Sequence, residues 1–131
     1  MPLEYISRSE ADTRSLAAGI ARLLKPGDVV FLTGQLGAGK TFLIREAAGA
    51  LGVTEPVTSP SFTMGQSYRG RITVHHLDLY RLAEFDAEDA IDFEPFFEAD
   101  AITFVEWPEV AAAFFIEPVL TVALGHLAPE S

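Results

Sequence analysis

The chain contains no cysteine and few cations. Its 131 residues include 9 Lys or Arg against 19 Asp or Glu, for a formal net charge of -10. The absence of cysteine excludes disulfide bonds and cysteine-based metal or nucleophile chemistry, and it is typical of the reducing cytoplasm. Proteins that hold a nucleic-acid backbone by themselves usually carry a basic face. The acidic balance therefore disfavours a stand-alone nucleic-acid binder.

Long apolar runs are also missing. Asp or Glu interrupts each hydrophobic stretch short of the length of a membrane span. The first ten residues, MPLEYISRSE, lack the basic and apolar regions of a signal peptide. Hydrophobic residues nevertheless make up 49% of the chain, which favours a packed core over disorder. The length predicts one domain over residues 1–131.

Positive charge is confined to the first part of the chain. Residues 1–81 carry nine cations against seven acids, whereas residues 82–131 carry twelve acids and no Lys or Arg. Two interpretations of the acidic part remain open. It is either a solvated surface or a surface that meets a basic partner.

Hydrophobic periodicity predicts alternating helices and strands. Apolar residues at helical spacing predict helices over residues 10–24 and 41–51, and the first follows a capping-box pattern at Ser9. Residues 54–70 are predicted to be a loop, and residues 87–98 to be helical in part. Apolar runs predict strands at 29–33, 71–77, 102–105 and 119–124. This alternation is typical of an α/β fold with a mostly parallel central sheet and antiparallel strands allowed at its edges.

The phosphate-loop pattern G-x-x-x-x-G-K-[ST] occurs between a predicted strand and a predicted helix. In such a loop, backbone N–H groups and the helix N-terminus hold phosphate oxygens, while the lysine reaches the β- and γ-phosphates and the hydroxyl binds Mg²⁺. The pattern therefore predicts a P-loop NTPase three-layer sandwich. Its eight residues are Gly34, Gln35, Leu36, Gly37, Ala38, Gly39, Lys40 and Thr41.

Two acids end predicted strands and are candidates to hold Mg²⁺ with Thr41. Glu106 follows residues 102–105 in the manner of a Walker B motif, and Asp78 ends the strand at 71–77. P-loop enzymes use such carboxylates directly or through water. Which of the two acids contacts the metal directly stays open. His76 shares a strand face with Asp78 and is a candidate to orient it.

A hydroxyl-rich segment, residues 57–63, lies between the P-loop helix and the next predicted strand. In P-loop proteins a segment in this place can contact the γ-phosphate and act as a switch. Ser61 is our candidate there. An ordinary polar loop is the alternative.

The ordered motifs resemble the TsaE family, the ATPases of bacterial tRNA threonylcarbamoyladenosine biosynthesis. The similarity covers roughly residues 10–107. Besides the P-loop, it rests on TSPSF at 58–62, HLDLYRL at 76–82 and VEWP at 105–108. The last two motifs, in this order, are far more specific than the P-loop, which many families share.

The resemblance implies a Mg²⁺-dependent ATPase whose ATP cycle supports threonylcarbamoyl transfer to the tRNA adenosine beside the anticodon. Its partners would be a TsaD-like transferase subunit and a TsaB-like paralogue, with tRNA contacted only indirectly and no membrane involved. Lys40 would hold phosphates, Asp78 would position water, and Glu106 would bind Mg²⁺ with Thr41.

The resemblance also implies further nucleotide-binding residues. Glu10 and Thr13 occupy the family's stretch near the nucleotide base, and Trp107 would lie near the nucleotide or the partner. Phe42 replaces the second Thr or Ser that many members carry, and Asp92 replaces a Gly. The family's later Arg near the nucleotide has no counterpart after Arg81, so we expect that contact to be absent or replaced.

The acidic, aromatic segment 84–100 is a candidate docking surface for a basic subunit. Its phenylalanines are Phe93, Phe96 and Phe97. The alternative is that these side chains belong to the core.

Two other functions remain open. A small-metabolite kinase would use basic side chains on the transferring phosphoryl group, and the absence of cations after Arg81 disfavours it. A nucleotide-sensing module with negligible hydrolysis is the second alternative. A GTPase is disfavoured because the chain has no Asn-Lys-x-Asp motif.

Overall fold

The computed structural model describes residues 2–7, 10–33, 40–57, 65–79, 94–96, 99–107 and 120–126. In these ranges no helix is both long and apolar enough to cross a bilayer. The elements, in chain order, are β1 (Pro2–Ser7), α1 (Glu10–Leu23), β2 (Val29–Thr33), α2 (Lys40–Ala50), β3 (Gly65–Arg69), β4 (Thr73–Asp78), a 3-10 turn (Glu94–Phe96), β5 (Ala101–Glu106) and β6 (Leu120–His126).

The six strands form one sheet in the order β1-β6-β2-β5-β4-β3. Four neighbouring pairs are parallel, and β3 at the edge is antiparallel to β4. The predicted α/β fold with a mostly parallel sheet and an antiparallel edge strand is therefore confirmed. Because β2, β4 and β5 are parallel, their carboxyl ends lie at the same edge of the sheet.

Both faces of the sheet are buried. The helix face, which packs against α1 and α2, includes the buried strand residues Val30, Leu32, Val74, Ile102, Phe104 and Val122. The second face includes the buried residues Val29, Phe31, Leu77 and Val105. A strand buried on both sides needs apolar residues at every position, which explains why β2 and β5 show no alternation of polar and apolar residues. The sheet therefore buries apolar side chains on both of its faces.

The turn between α1 and β2 aligns the two central strands. Gly27 has φ 93°, a left-handed conformation that glycine adopts without steric cost, and this reverses the chain after the helix. Its N–H donates to the carbonyl of Ala101 at 2.8 Å, and Thr103 N–H donates to the carbonyl of Asp28 at 3.0 Å. These bonds continue the β2–β5 ladder and bring β5 beside the strand that precedes the P-loop.

Most predicted elements are confirmed to within a few residues. The strand at Val29–Thr33 has the predicted bounds, and α1 and α2 each differ from prediction by one residue at their ends. The predicted strands at 71–77, 102–105 and 119–124 correspond to β4, β5 and β6. Of the predicted partial helix at 87–98, the turn Glu94–Phe96 is described and the rest lies outside the described residues.

Two edge strands contradict the prediction. Residues 54–70 were predicted to be a loop, yet Gly65–Arg69 forms β3, and β1 was not predicted at all. The sequence of β3, GQSYR, is polar, and Tyr68 is its one buried residue. The strand is formed by its hydrogen-bonded register with β4, in which Tyr68 lies opposite Val74. Such pairing leaves no hydrophobic pattern in the sequence.

Candidate functional site

Three elements meet at the carboxyl edge of the sheet. Asp78 at the end of β4 lies opposite Glu106 at the end of β5, and Leu32 of β2 lies on the other side of Glu106. The N–H of Leu79 donates to the carbonyl of Glu106 at 3.1 Å, so the two strands stay together past their ends. Helix α2 begins at Lys40, the seventh residue of the P-loop pattern. The two predicted strand-end acids are therefore neighbours at this edge, and Glu106 reaches the first turn of α2.

The side chains of Thr41 and Glu106 are in direct contact. Thr41 lies in the first turn of α2, and its Oγ1 donates to Glu106 Oε2 at 3.1 Å. Glu106 is only 3% exposed, although it carries a carboxylate. These residues are 65 positions apart in sequence, so the contact depends on the placement of α2 over β5. It joins the P-loop hydroxyl to the Walker B-like acid.

His76 contacts Glu106. The distance from His76 Nε2 to Glu106 Oε2 is 2.5 Å, and His76 is completely buried. The sequence makes His76 a candidate to orient Asp78, but its hydrogen bond is made to Glu106. The reason is the register: His76 lies on the helix face and pairs with Phe104, two residues before the Asp78–Glu106 pair, so the Glu106 side chain is on the same face.

The oxygen atoms of this site fit Mg²⁺. Magnesium prefers oxygen donors, and proteins usually supply one or two of them while phosphates and water supply the others. The Thr41 hydroxyl and the Glu106 carboxylate are such donors, and they already lie within hydrogen-bond distance. Among the described side chains, no cluster of three or more His, Cys, Asp or Glu could form an all-protein metal cage. The arrangement suits a metal held jointly with a nucleotide.

Trp107 follows Glu106 in an uncommon backbone conformation. Its φ is 58°, and it is the one non-glycine residue of the described part with a positive φ. A bulky residue in the left-handed region costs about 1–3 kcal/mol, and such strain concentrates at functional sites. Trp107 directly follows the last residue of β5 and is half-buried.

The first turn of α2 faces residues of α1. Thr13 is 3% exposed between the packed helices. The guanidinium of Arg14 lies 5.6 Å from the centre of the Phe42 ring, and that of Arg45 lies 6.0 Å from it. Arg14 also pairs with Glu46 at 3.5 Å. Sequence reasoning assigned no role to Arg14, whose only signal was its place next to Thr13 on a predicted helix.

The remaining predicted residues are described in part or not at all. Glu10 and Lys40 are placed as the first residues of α1 and α2, and nothing further is described of their side chains. Gly34, Gln35, Leu36, Gly37, Ala38, Gly39 and Ser61 lie outside the described residues. The roles of all these residues stay predictions.

Phe96 packs against the second face of the sheet. Its ring meets that of His75 edge to face, with centroids 5.3 Å apart, and its carbonyl accepts a hydrogen bond from Thr103 Oγ1. Phe96 is half-buried by these contacts. They favour the core interpretation for this residue over the docking interpretation. Phe93 and Phe97 lie outside the described residues.

Known proteins are similar to this chain in sequence. The family model of the threonylcarbamoyl adenosine biosynthesis protein TsaE matches residues 7–129. The tRNA threonylcarbamoyladenosine biosynthesis protein TsaE of Treponema pallidum is 38% identical over 126 residues, covering 96% of this chain and 93% of that protein. The protein of the same name from Aquifex aeolicus is 42% identical over 111 residues, covering 81% of this chain and 77% of that protein.

A solved structure is similar as well. The crystal structure of Bacillus subtilis YdiB superposes with a TM-score of 0.78 at 27% identity. The superposition covers 95% of this chain and 76% of that one.

Proposed function

Because this chain belongs to the TsaE family of tRNA threonylcarbamoyladenosine biosynthesis, we propose that it is a Mg²⁺-dependent P-loop ATPase. Its ATP cycle would act on a TsaD-like transferase subunit and a TsaB-like paralogue, and would thereby support threonylcarbamoyl transfer to the tRNA adenosine beside the anticodon. We also propose that residues 1–131 form one P-loop domain, because the sheet joins strands from Pro2 to His126.

One observation carries the ATPase proposal: Thr41 Oγ1 lies 3.1 Å from Glu106 Oε2. Thr41 ends the P-loop pattern, and Glu106 ends the strand next to β2. A hydroxyl and a carboxylate in these two places are what P-loop NTPases use to hold Mg²⁺ beside the β- and γ-phosphates. A glycine turn without a nucleotide would have no need for a buried acid beside its threonine.

Each residue has a distinct task in this proposal. The backbone of residues 34–39 and the Lys40 ammonium bind the phosphates. Thr41 and Glu106 would hold Mg²⁺, which offsets the charge that develops on the phosphoryl oxygens. Asp78, opposite Glu106 at the end of β4, orients the attacking water. Trp107, the half-buried residue after Glu106, would lie near the nucleotide or the partner.

Charge supports the partner proposal. With a net charge of -10 and no cation after Arg81, this chain is poorly suited to hold tRNA itself. A basic subunit that holds the tRNA would attract it instead. We propose that the chain works in the cytoplasm, where tRNA is modified, and contacts tRNA only through its partners.

The test is ATP hydrolysis with Mg²⁺, alone and with the purified transferase pair. We compare the wild type with Lys40→Ala and Glu106→Ala, and we use Arg22→Ala, in the last turn of α1, as a control. Partner-stimulated hydrolysis that both site variants lose, and that the control keeps, supports the proposal. ATP-dependent association without hydrolysis would indicate a nucleotide-sensing module instead. ADP release that depends on a small phosphate acceptor would indicate a kinase.

A further inference from the structure

His76 is fully buried, with one of its two ring nitrogens unpaired in the described part of the chain. The residue is 0% exposed, and its Nδ1 has no hydrogen-bond partner among the described residues. A buried polar atom without a partner opposes folding, because the atom loses its bond to water and gains none in return. An apolar side chain such as leucine would fill this place without that loss. The value of a histidine here must therefore lie in its other ring nitrogen.

That other nitrogen makes one short contact, to Glu106. A carboxylate oxygen only accepts hydrogen bonds, so Nε2 is assigned as the donor. Glu106 Oε2 thus accepts from His76 Nε2 at 2.5 Å and from Thr41 Oγ1 at 3.1 Å. The two donors approach from different elements, β4 and α2. Together they fix the rotamer of a carboxylate that would otherwise be held from one side.

We propose that His76 is a positioning residue for the Mg²⁺ site: it holds the Glu106 carboxylate in place for the metal and does not itself contact metal or nucleotide. This inference rests on the proposed function. Residues that orient metal ligands commonly act in this way, by hydrogen bonds to the ligands themselves. With Thr41 and Glu106 as the residues that would hold the metal, the bond from His76 would still orient the Glu106 carboxylate.

The neighbouring histidine provides the contrast. His75 lies on the second face, its Nδ1 lies 2.7 Å from Ser67 Oγ, and its ring packs against Phe96. Those contacts tie β4 to β3 and to the 3-10 turn, away from the strand-end acids. His75 is therefore a matched control, because it is equally a buried histidine on β4 but is not connected to Glu106.

The experiment measures ATP affinity in EDTA and in Mg²⁺, together with the thermal midpoint without nucleotide. We expect wild type to bind ATP more tightly with Mg²⁺. In His76→Leu we expect this Mg²⁺-dependent gain to fall roughly 10- to 100-fold, while affinity in EDTA is unchanged. His76→Gln, whose amide reaches the place of Nε2, should keep most of the gain. His76→Asn, which is too short, should lose it, and His75→Leu should keep it.

A double variant separates positioning from structure. If His76 acts through Glu106, adding His76→Leu to Glu106→Gln causes no further loss of the Mg²⁺-dependent gain. Three results would overturn the inference. The Mg²⁺-dependent gain in ATP affinity could be undiminished in His76→Leu, the losses could add in the double variant, or the Gln and Asn variants could show the same gain. If His76→Leu fails to fold, the Gln and Asn pair decides. Wild type that binds no ATP under either condition would contradict the proposed function as well as this inference.

Discussion

The two faces of the central sheet both bury polar side chains, but they satisfy them differently. On the second face, His75 is hydrogen-bonded to Ser67, and Thr103 is hydrogen-bonded to the carbonyl of Phe96. Each of these polar groups therefore has a partner that is near it in sequence. On the helix face, Glu106 of β5 is hydrogen-bonded to Thr41 of α2 and to His76 of β4. The other ring nitrogen of His76 has no partner among the described residues.

This difference in hydrogen bonding distinguishes buried polar groups that stabilise the fold from buried polar groups that belong to a functional site. Local, complete pairing is what stability alone requires of a buried polar group. The incomplete pairing on the helix face lies at the carboxyl ends of parallel strands, where α/β proteins bind their ligands. Burial of a polar residue is therefore not by itself a sign of function here. The sign of function is a set of hydrogen bonds that joins distant elements and leaves a polar atom unpaired.

The largest effect should come from the apolar part of the helix face. Phe104 is fully buried there, and Val105 is its buried neighbour on the second face. Phe104→Ala should lower the free energy of unfolding by about 3–5 kcal/mol, because it removes a large side chain and leaves a cavity. Val105→Ala removes two carbons and should cost about 2 kcal/mol. Urea unfolding checks both. Equal losses would contradict this expectation, because Phe104→Ala removes far more buried apolar surface than Val105→Ala.

The next effect tests the contact between Thr41 and Glu106. Thr41→Val keeps the shape of the side chain and removes the hydroxyl that contacts Glu106. We expect partner-stimulated ATP hydrolysis to fall about 100-fold, equivalent to about 2.7 kcal/mol of barrier, since the proposed metal ligand is lost. The turnover rate at saturating ATP is the measurement. Turnover close to wild type would show that the Thr41–Glu106 contact belongs to the fold and not to the site.

The same substitution on the second face gives the matching control. Thr103→Val removes the hydrogen bond to the Phe96 carbonyl and should lower the free energy of unfolding by about 1 kcal/mol. Hydrolysis should be unchanged, because Thr103 faces away from the strand-end acids. Urea unfolding and turnover are measured on the same preparation. If turnover fell by more than the loss of folded protein accounts for, Thr103 would also serve the site. The distinction between the two faces would then be wrong.

The smallest effect concerns the surface beside the site. Arg14 lies over the Phe42 ring and pairs with Glu46, and its side chain is 56% exposed. Exposed interactions of both kinds are weak, so Arg14→Gln should lower the free energy of unfolding by only about 0.5–1 kcal/mol. Thermal unfolding without nucleotide checks this value. A larger loss would show that the contact between α1 and α2 depends on Arg14.

The sequence predicted those parts of the fold that depend on apolar runs and on the P-loop. Strand β2 and helix α2 follow from these signals, and the ends of β4 and β5 follow from the acids that close them. Edge strand β1 could not be predicted because its partner, β6, lies at the other end of the sequence. Strand β3 was missed because its own sequence, GQSYR, is polar and carries no hydrophobic pattern, although its partner β4 follows directly. The His76–Glu106 contact was missed for a related reason, since it depends on the register between β4 and β5.

Strand order has a consequence for the synthesis of the protein on the ribosome. Strand β6 lies between β1 and β2, and Pro2 pairs with Thr121. In the described sheet β1 has no other neighbour, so β1 cannot pair until β6 has been translated. The strands β2, β4 and β5 are all translated before β6, and they can align while β6 is still being made. The nascent chain can therefore assemble its strand-end acids before the sheet is complete.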